Sequence, residues 1–400
     1  MASSLDRIKI LIAGISGIVL MIGVARFAYT PLLPIMQSQK VLFSDQGAWL
    51  ASINYLGYLS GALIAASIKD LLLKDRLYRI GIGLGIVTTI GMALTTDTLL
   101  WSLLRYFAGL SSAAGLLIGS GLVLNWLMRH HFRNELGIHF SGIGLGIAVC
   151  SALVMLLPDS MIWTAQWIWF GLLALLLAIP AWGWLPRPPA DYANGTTVTG
   201  QKLEEKPPSQ AFMLTFMAYY FCAGVGYVVS ATFIVAIVEQ QPALQGLGNG
   251  AFLLLGLCGI PACILWDLVA RRVGFLNALL LVSLLHTLSI ALPLLSMSAM
   301  SALLSAALFG ATFVGIVSLV LTMAGRFYPG YPAKMMGKMT FTYGIAQMAA
   351  PAVIGWMVGD DGGYLQGLTL ASIAMMVGSL LVVILKWIPQ PSDSPIHVRT

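Results

Sequence analysis

The 400 residues are 58% hydrophobic and 9% charged, with a formal net charge of +6. An ordinary soluble domain carries roughly 25% charged residues, so a chain this poor in charge cannot cover a water-facing surface, and lipid is its expected solvent. The positive balance does not point to nucleic acid, because the 21 Lys and Arg fall in short clusters between apolar runs and form no basic stripe.

A helix crossing about 30 Å of hydrocarbon needs about 20 apolar residues at 1.5 Å each. The first such run follows Arg7 and Lys9 and covers 9–36. It is longer than a signal peptide and lacks a small-residue cleavage site, so it reads as a retained membrane helix, kinked or ended early at Pro31 and Pro34. Further runs predict helices near 46–68, 78–96, 98–128, 136–157 and 161–184. A polar stretch with five prolines follows at 185–209 and reads as a flexible linker. Beyond it lie apolar runs near 210–240, 247–267, 274–294, 297–325, 334–358 and 364–387. The expected fold is an all-α membrane protein with twelve transmembrane helices, divided into a bundle over 1–184, a cytoplasmic linker over 185–209 and a bundle over 210–400.

Lys and Arg orient the chain. With both termini in the cytoplasm, eighteen of the 21 cations lie on the inner side, from Arg7 and Lys9 to Lys386 and Arg399. Only Lys40 falls outside, and Arg26 and Arg105 fall within helices. One missing helix would scramble every later loop, so this asymmetry supports the count. The sequon at Asn194-Gly195-Thr196 then lies on the cytoplasmic side and is dismissed. A multi-pass inner-membrane location is expected.

Arg26 and Arg105 are the most informative residues. Counted from the outer ends of their helices, they lie about 17 Å and 12 Å deep. An intramembrane Arg costs at least about 2.5 kcal/mol, so each needs a partner. No Asp or Glu lies deep in the twelve segments, which leaves a carbonyl, an aromatic face, a loop carboxylate such as Asp45 or Glu239, or a bound anion. Either the two arginines face a central cavity and bind an anionic or carbonyl-rich solute, or Arg105 ties helices together while Arg26 snorkels outward. Tyr29, Asn54, Tyr58, Tyr227, Tyr343 and Gln347 lie at depths where they would line such a site. His286 is the mid-membrane histidine and reads as a packed, hydrogen-bonded residue. His139, one turn inside its helix, and His130 and His131, in a loop, read as solvated.

The four cysteines, Cys150, Cys222, Cys258 and Cys263, all sit in apolar runs without zinc spacing and read as buried thiols. Trp163, Trp167 and Trp169 suggest an interface belt. The strings at Gly81–Gly85 and Gly142–Gly146 follow no strand and precede no phosphate-binding lysine, so they read as close helix contacts. No nucleotide loop, metal cluster or activated nucleophile is present in the sequence, so neither enzyme, cofactor nor metal is expected.

The two halves echo each other at an offset near 200 residues. Gly23 to Pro34 lines up with Gly224 to Val235, which sets Arg26 opposite Tyr227, and the stretch after Leu103-Leu104 lines up with that after Leu303-Leu304. Asp267-Leu268-Val269-Ala270-Arg271-Arg272-Val273-Gly274 is similar to the short cytoplasmic-loop motif of the major facilitator superfamily, and Arg105-Tyr106-Phe107-Ala108-Gly109 to its intramembrane arginine motif. The first-half loop keeps Lys69, Asp70, Lys74, Asp75, Arg76 and Arg79 without the superfamily's spacing, and Gly142, Gly144 and Gly146 lack the proline of its fifth-helix pattern. Gly23 through Pro34 and Trp49 through Tyr58 resemble the YbfB/YjiJ-type bacterial branch.

The resemblance spans essentially the whole chain. It implies two pseudo-symmetric six-helix bundles, secondary transport by alternating access, and a gating role for Asp267, Arg271 and Arg272. The expected partners are a small-molecule solute and the lipid bilayer, without nucleic acid, and a monomer is the working expectation. Uptake of a small polar or anionic solute competes with efflux of amphipathic compounds or drugs. A non-transporting membrane sensor is the lesser alternative.

Overall fold

The computed structural model describes residues 3–68, 70–130, 132, 136–158, 160–188, 208–239, 241–296, 298–327, 332–358 and 364–389. The part of the linker at 189–207, with the Asn194 sequon, lies outside them. Among the described residues there is no strand, and the helices join into twelve rods. The first, α1, runs through Ser4–Ile18, a π-helical stretch Val19–Phe27 and Tyr29–Ser38. Next come α2 (Ser44–Ser67) and α3 (Leu71–Met92), then α4, which runs through Thr98–Ala113, a second π-helical stretch Ala114–Gly119 and Ser120–Arg129. The first half closes with α5 (Leu136–Leu156) and α6 (Trp163–Gly183). The second half contains α7 (Gln210–Glu239), α8 (Gly248–Val273), α9 (Phe275–Leu295), α10 (Ala299–Phe327), α11 (Pro332–Val358) and α12 (Tyr364–Trp387).

Ten of the rods are long and apolar enough to cross a membrane by composition alone. One of the other two is α3, which begins seven residues before the expected 78. The Asp70 carboxylate accepts from Leu72 N at 2.9 Å and starts the helix there, ahead of Lys74, Asp75, Arg76 and Arg79. In these added turns, ahead of the expected start, Asp75 is buried and paired with Arg79.

Contacts between loops fix the direction of the rods. At the end carrying the N-terminus, the Arg7 guanidinium lies over Phe132 at 6.0 Å. Arg79 donates there to the carbonyls of Trp182 and Leu185 at 2.7 and 3.0 Å. The Phe212 and Phe327 rings meet at 5.6 Å, joining the start of α7 to the end of α10. At the far end Gln39 donates to Met161 O at 3.2 Å, and Trp101 to Met92 O at 3.1 Å. Glu239 turns the α7–α8 connection by accepting from Gly246 N and Gly248 N at 2.8 and 2.9 Å.

The halves repeat in their helix contacts at an offset of 201 residues, the offset that lines up Gly23 with Gly224. A Cβ on Gly109 would stand 2.1 Å from the Asn54 carbonyl oxygen, and one on Gly310 would stand 2.0 Å from the Leu255 carbonyl oxygen. Glycine is required at both crossings because any side chain would enter the neighbouring backbone. Gly23 presses on Gly146 of α5, and its counterpart Gly224 presses on Tyr343 and Ala346 of α11.

Two long seams join the halves. Along α5–α8, Gly144 lies against Gly259 and Ile260, and Gly256 against Ala148, so backbone meets backbone. Along α2–α11, Gly337 faces the Ala66 side chain and Gly344 faces Leu59. At the far end, Thr30 Oγ1 donates to Ala231 O at 3.3 Å, which is its own counterpart 201 residues on, and Tyr55 and Thr232 share a hydroxyl bond at 2.8 Å.

The outer surface exposes Leu156, Leu176, Ile179, Leu295 and Trp387, an apolar belt that only lipid can cover. The expected tryptophan belt needs correction. Trp169 is exposed, but Trp163 and Trp167 are buried, Trp163 edge-on to Trp101 at 5.8 Å. All four cysteines are free; Cys150 and Cys263 are buried, while Cys222 and Cys258 are only partly so.

Candidate functional site

The site is built around the π-helical middle of α1. In a π turn the N–H bonds reach five residues back, as from Ala28 N to Gly23 O at 3.0 Å, and the widened backbone leaves carbonyls to be satisfied from outside. In a membrane those carbonyls need protein partners. Two side chains of α4 supply them. Ser112 Oγ donates to Met21 O at 2.7 Å, and Arg105 Nη1 to Ala25 O at 3.2 Å.

Arg105 is tied to its neighbours by these and two further contacts. Its Nε faces Leu50 O at a long 3.5 Å, and the guanidinium lies 4.3 Å from the Tyr29 ring centre. Asn54 Nδ2 donates to the Arg105 carbonyl at 2.9 Å and holds α2 against α4 at the same level. Tyr29 is positioned in turn by its hydroxyl, which donates to Gly47 O at 3.0 Å. These are the contacts of the helix-tying reading of Arg105, which also borders the cavity described below.

Arg26 differs. It is 7% exposed, and its guanidinium rests on the rings of Tyr55 at 4.5 Å, Tyr58 at 4.9 Å and Phe27 at 5.6 Å. Its Nε and Nη2 are buried without a hydrogen-bond partner. It does not snorkel, and the loop carboxylate Glu239 serves its own turn instead. Cation–π contact offsets part of the desolvation, but a buried donor left unmet still costs about 1–3 kcal/mol.

Two adjoining cavities share Arg26 and Phe27. The smaller, toward the far end, is about 10 Å³, room for a single water, and is bordered by Tyr29, Asn54, Tyr55, Arg105 and Thr232. The larger is about 40 Å³ in this conformation, and is bordered by Tyr58, Tyr220, Tyr227, Phe313, Tyr343 and Gln347 among others. Ile22, Leu116, Leu321 and Thr340 extend it toward the end carrying the termini. All eight site residues expected from the sequence thus border one cavity or the other. The residues missed are Tyr55, Tyr220, Phe313, Thr232 and Thr340. Tyr55 lies three residues before Tyr58 and Thr340 seven before Gln347, one helix face in each case, and that periodicity was the available signal.

The second-half wall is aromatic. Tyr220 stacks on Tyr343 at 4.4 Å, and Tyr227 meets Phe313 at 5.4 Å and Tyr343 at 5.7 Å. Behind it His286 is buried, with Nδ1 bonded to Thr312 Oγ1 at 2.8 Å and its ring 4.7 Å from Phe309, which is the packed role expected. His139 is corrected: it is wholly buried, with Nε2 on Ser120 Oγ at 2.9 Å. The loop motif after α8 stands apart from the cavities. Asp267 pairs with Arg271 of its own helix at 2.6 Å on the exposed surface, beside Arg272. Among the described residues no group of His, Cys, Asp and Glu is placed to hold a metal.

Twelve helical rods, ten of them apolar enough to cross a membrane, a repeat that relates two sets of six, and a cation-bearing cavity between the sets describe a membrane protein built from two halves. A family model described as "Uncharacterised MFS-type transporter YbfB" matches residues 18–383, and the chain belongs to that family of major facilitator transporters. It is similar to the "Uncharacterized MFS-type transporter YceJ" of Bacillus subtilis (strain 168), at 32% identity over 24% of this chain and 25% of that protein. It is also similar to the "MFS transporter prlG" of a fungal species (strain NRRL 50135), at 29% identity over 32% of this chain and 26% of that protein. The matched stretches span about a quarter of each relative's length. The chain accordingly belongs to a family of multi-pass membrane transporters.

Proposed function

We propose that this transporter moves a small anionic or polar solute by alternating access, with Arg26 holding the solute's charge. The observation that carries the reading is the Arg26 guanidinium, buried beside a cavity with Nε and Nη2 unpartnered. A buried cation with free donors is costly unless something fills them for part of the cycle, and in a transporter that something is the cargo. Tyr58, Tyr227, Tyr343 and Gln347 would line the bound solute, while Tyr29, Asn54 and Arg105 shape the floor beneath it.

The bundles 1–184 and 210–400 are the proposed moving bodies, joined by 185–209 and rocking about this site. Closure at the far end by Thr30–Ala231 and Tyr55–Thr232, with the larger cavity extending toward the terminal end, suits one extreme of that motion. Asp267, Arg271 and Arg272 would act as a gate at the terminal end. The distribution of Lys and Arg supports an inner-membrane location with cytoplasmic termini. A second reading, efflux of amphipathic compounds, is favoured by the aromatic second-half wall.

A thermal-shift screen of the purified protein against anions, neutral metabolites and amphipathic drugs, repeated with Arg26→Ala, separates the two. A ligand that binds the folded state raises its stability with concentration. Stabilisation by anions that vanishes in Arg26→Ala is the expected result. Stabilisation only by neutral or cationic amphipaths, unchanged in the variant, would transfer the assignment to efflux.

A further inference from the structure

A guanidinium has one edge on which Nε–H and Nη2–H point the same way, and that edge matches both oxygens of one carboxylate. This chain already contains such a match. Arg79 presents Nε to Asp75 Oδ2 at 3.1 Å and Nη2 to Asp75 Oδ1 at 3.1 Å. At Arg26 the two nitrogens without partners are the same two, Nε and Nη2. Resting on the reading of Arg26 as the anion anchor, we infer that the cargo is an aromatic monocarboxylate bearing a neutral hydrogen-bond donor, such as a hydroxyl, away from its carboxylate.

Three features of the cavities set this class. The first is charge. Among the described residues, Arg26 and Arg105 are the only Lys or Arg bordering them, and Arg105 already donates to the carbonyl of Ala25 and faces that of Leu50. One open fork compensates one carboxylate, and a second negative charge would be buried uncompensated. No Asp or Glu among the described residues borders either cavity, so an amino group on the cargo would also lack a counter-charge.

The second feature is shape. Tyr58, Tyr220, Tyr227, Phe313 and Tyr343 offer rings on which a flat apolar body is held by offset or edge contacts. The third is a second set of unmet polar groups. Gln347 Oε1 and Thr340 Oγ1 border the larger cavity, are buried, and lack hydrogen-bond partners. They sit seven residues apart on one face of α11, about 10 Å along its axis, with Tyr343 between them. Both are able to accept a hydrogen bond from the cargo's donor. Because Arg26 belongs to the first half and Thr340 and Gln347 to the second, one bound molecule bridges both halves.

Calorimetric titration of the purified full-length protein with 4-hydroxybenzoate, benzoate, 4-hydroxybenzamide, succinate and inorganic phosphate tests this. 4-Hydroxybenzoate is expected to bind most tightly, 4-hydroxybenzamide at least tenfold more weakly, and benzoate severalfold more weakly. Arg26→Lys keeps the charge and loses the fork, and is expected to weaken both aromatic acids by about tenfold to a hundredfold. Gln347→Leu is expected to weaken 4-hydroxybenzoate more than benzoate, bringing the two affinities together. If succinate or phosphate binds as tightly as the aromatic acids and is lost in Arg26→Lys, the anion site stands and the aromatic class falls. If 4-hydroxybenzamide equals its acid, or if none of the probes binds, both readings fall. The acid and amide are compared on the unaltered protein, so the outcome of that pair does not depend on a variant folding.

Discussion

The buried arginine at the terminal end of α3 and the one in the middle of α1 use the same chemical edge in opposite ways. Arg79 fills its Nε/Nη2 edge with Asp75 and its remaining donors with the carbonyls of Trp182 and Leu185, which ties α3 to the end of α6. Arg26 leaves that edge empty beside a cavity and lies on aromatic faces instead. Arg105 is intermediate: it has no carboxylate, but carbonyls of α1 and α2 and the Tyr29 ring occupy it. A buried cation is structural when the protein itself completes its hydrogen bonds, and becomes a candidate for binding when the protein does not.

The comparison is sharpened first at Arg79. Arg79→Met leaves Asp75 buried and unpaired, a change that costs about 3–5 kcal/mol, and should lower the thermal midpoint most of all. A midpoint within a degree or two of the unaltered protein would show that the pair is dispensable. Arg105→Met comes next. It strips the donor from Ala25 O, and about 1.5–3 kcal/mol of stability should go with it, ligand or no ligand.

Arg26→Met should behave in the opposite sense. Removing a cation with unmet donors is expected to leave the ligand-free protein equally stable or slightly more so, while stabilisation by anions disappears. A large loss of stability in the absence of ligand would place Arg26 with the other two arginines. The smallest effect is expected at Asp267→Asn. The pair with Arg271 is exposed on one helix and is worth about 0–1 kcal/mol, so stability should barely move. An altered transport rate in that variant, at unchanged stability, would support the gating role.

Much of this was legible in the sequence. The apolar runs and the one-sided distribution of Lys and Arg give twelve rods, and the structure moves the start of only one helix far, where Asp70 caps α3 and charge masks its first turns. The eight residues chosen by depth all border the cavities, because depth along a helix follows from counting residues at a fixed rise. Facing is another matter. A helix in lipid is apolar on every side, so its sequence does not say which side meets protein. Trp163, Trp167 and His139 were misplaced for that reason.

The sequence by itself thus determined the solvent, the number of helices and the level of each unusual residue, since all three depend on composition and on distance along one chain. Only the tertiary structure decided what each buried cation touches. The carbonyl of Ala25 lies 80 residues from Arg105 and that of Leu185 lies 106 from Arg79, and no local pattern encodes pairings so distant. Whether the protein completes a guanidinium's hydrogen bonds in the membrane is settled by helices packing against one another, and at Arg26 they leave Nε and Nη2 without a partner.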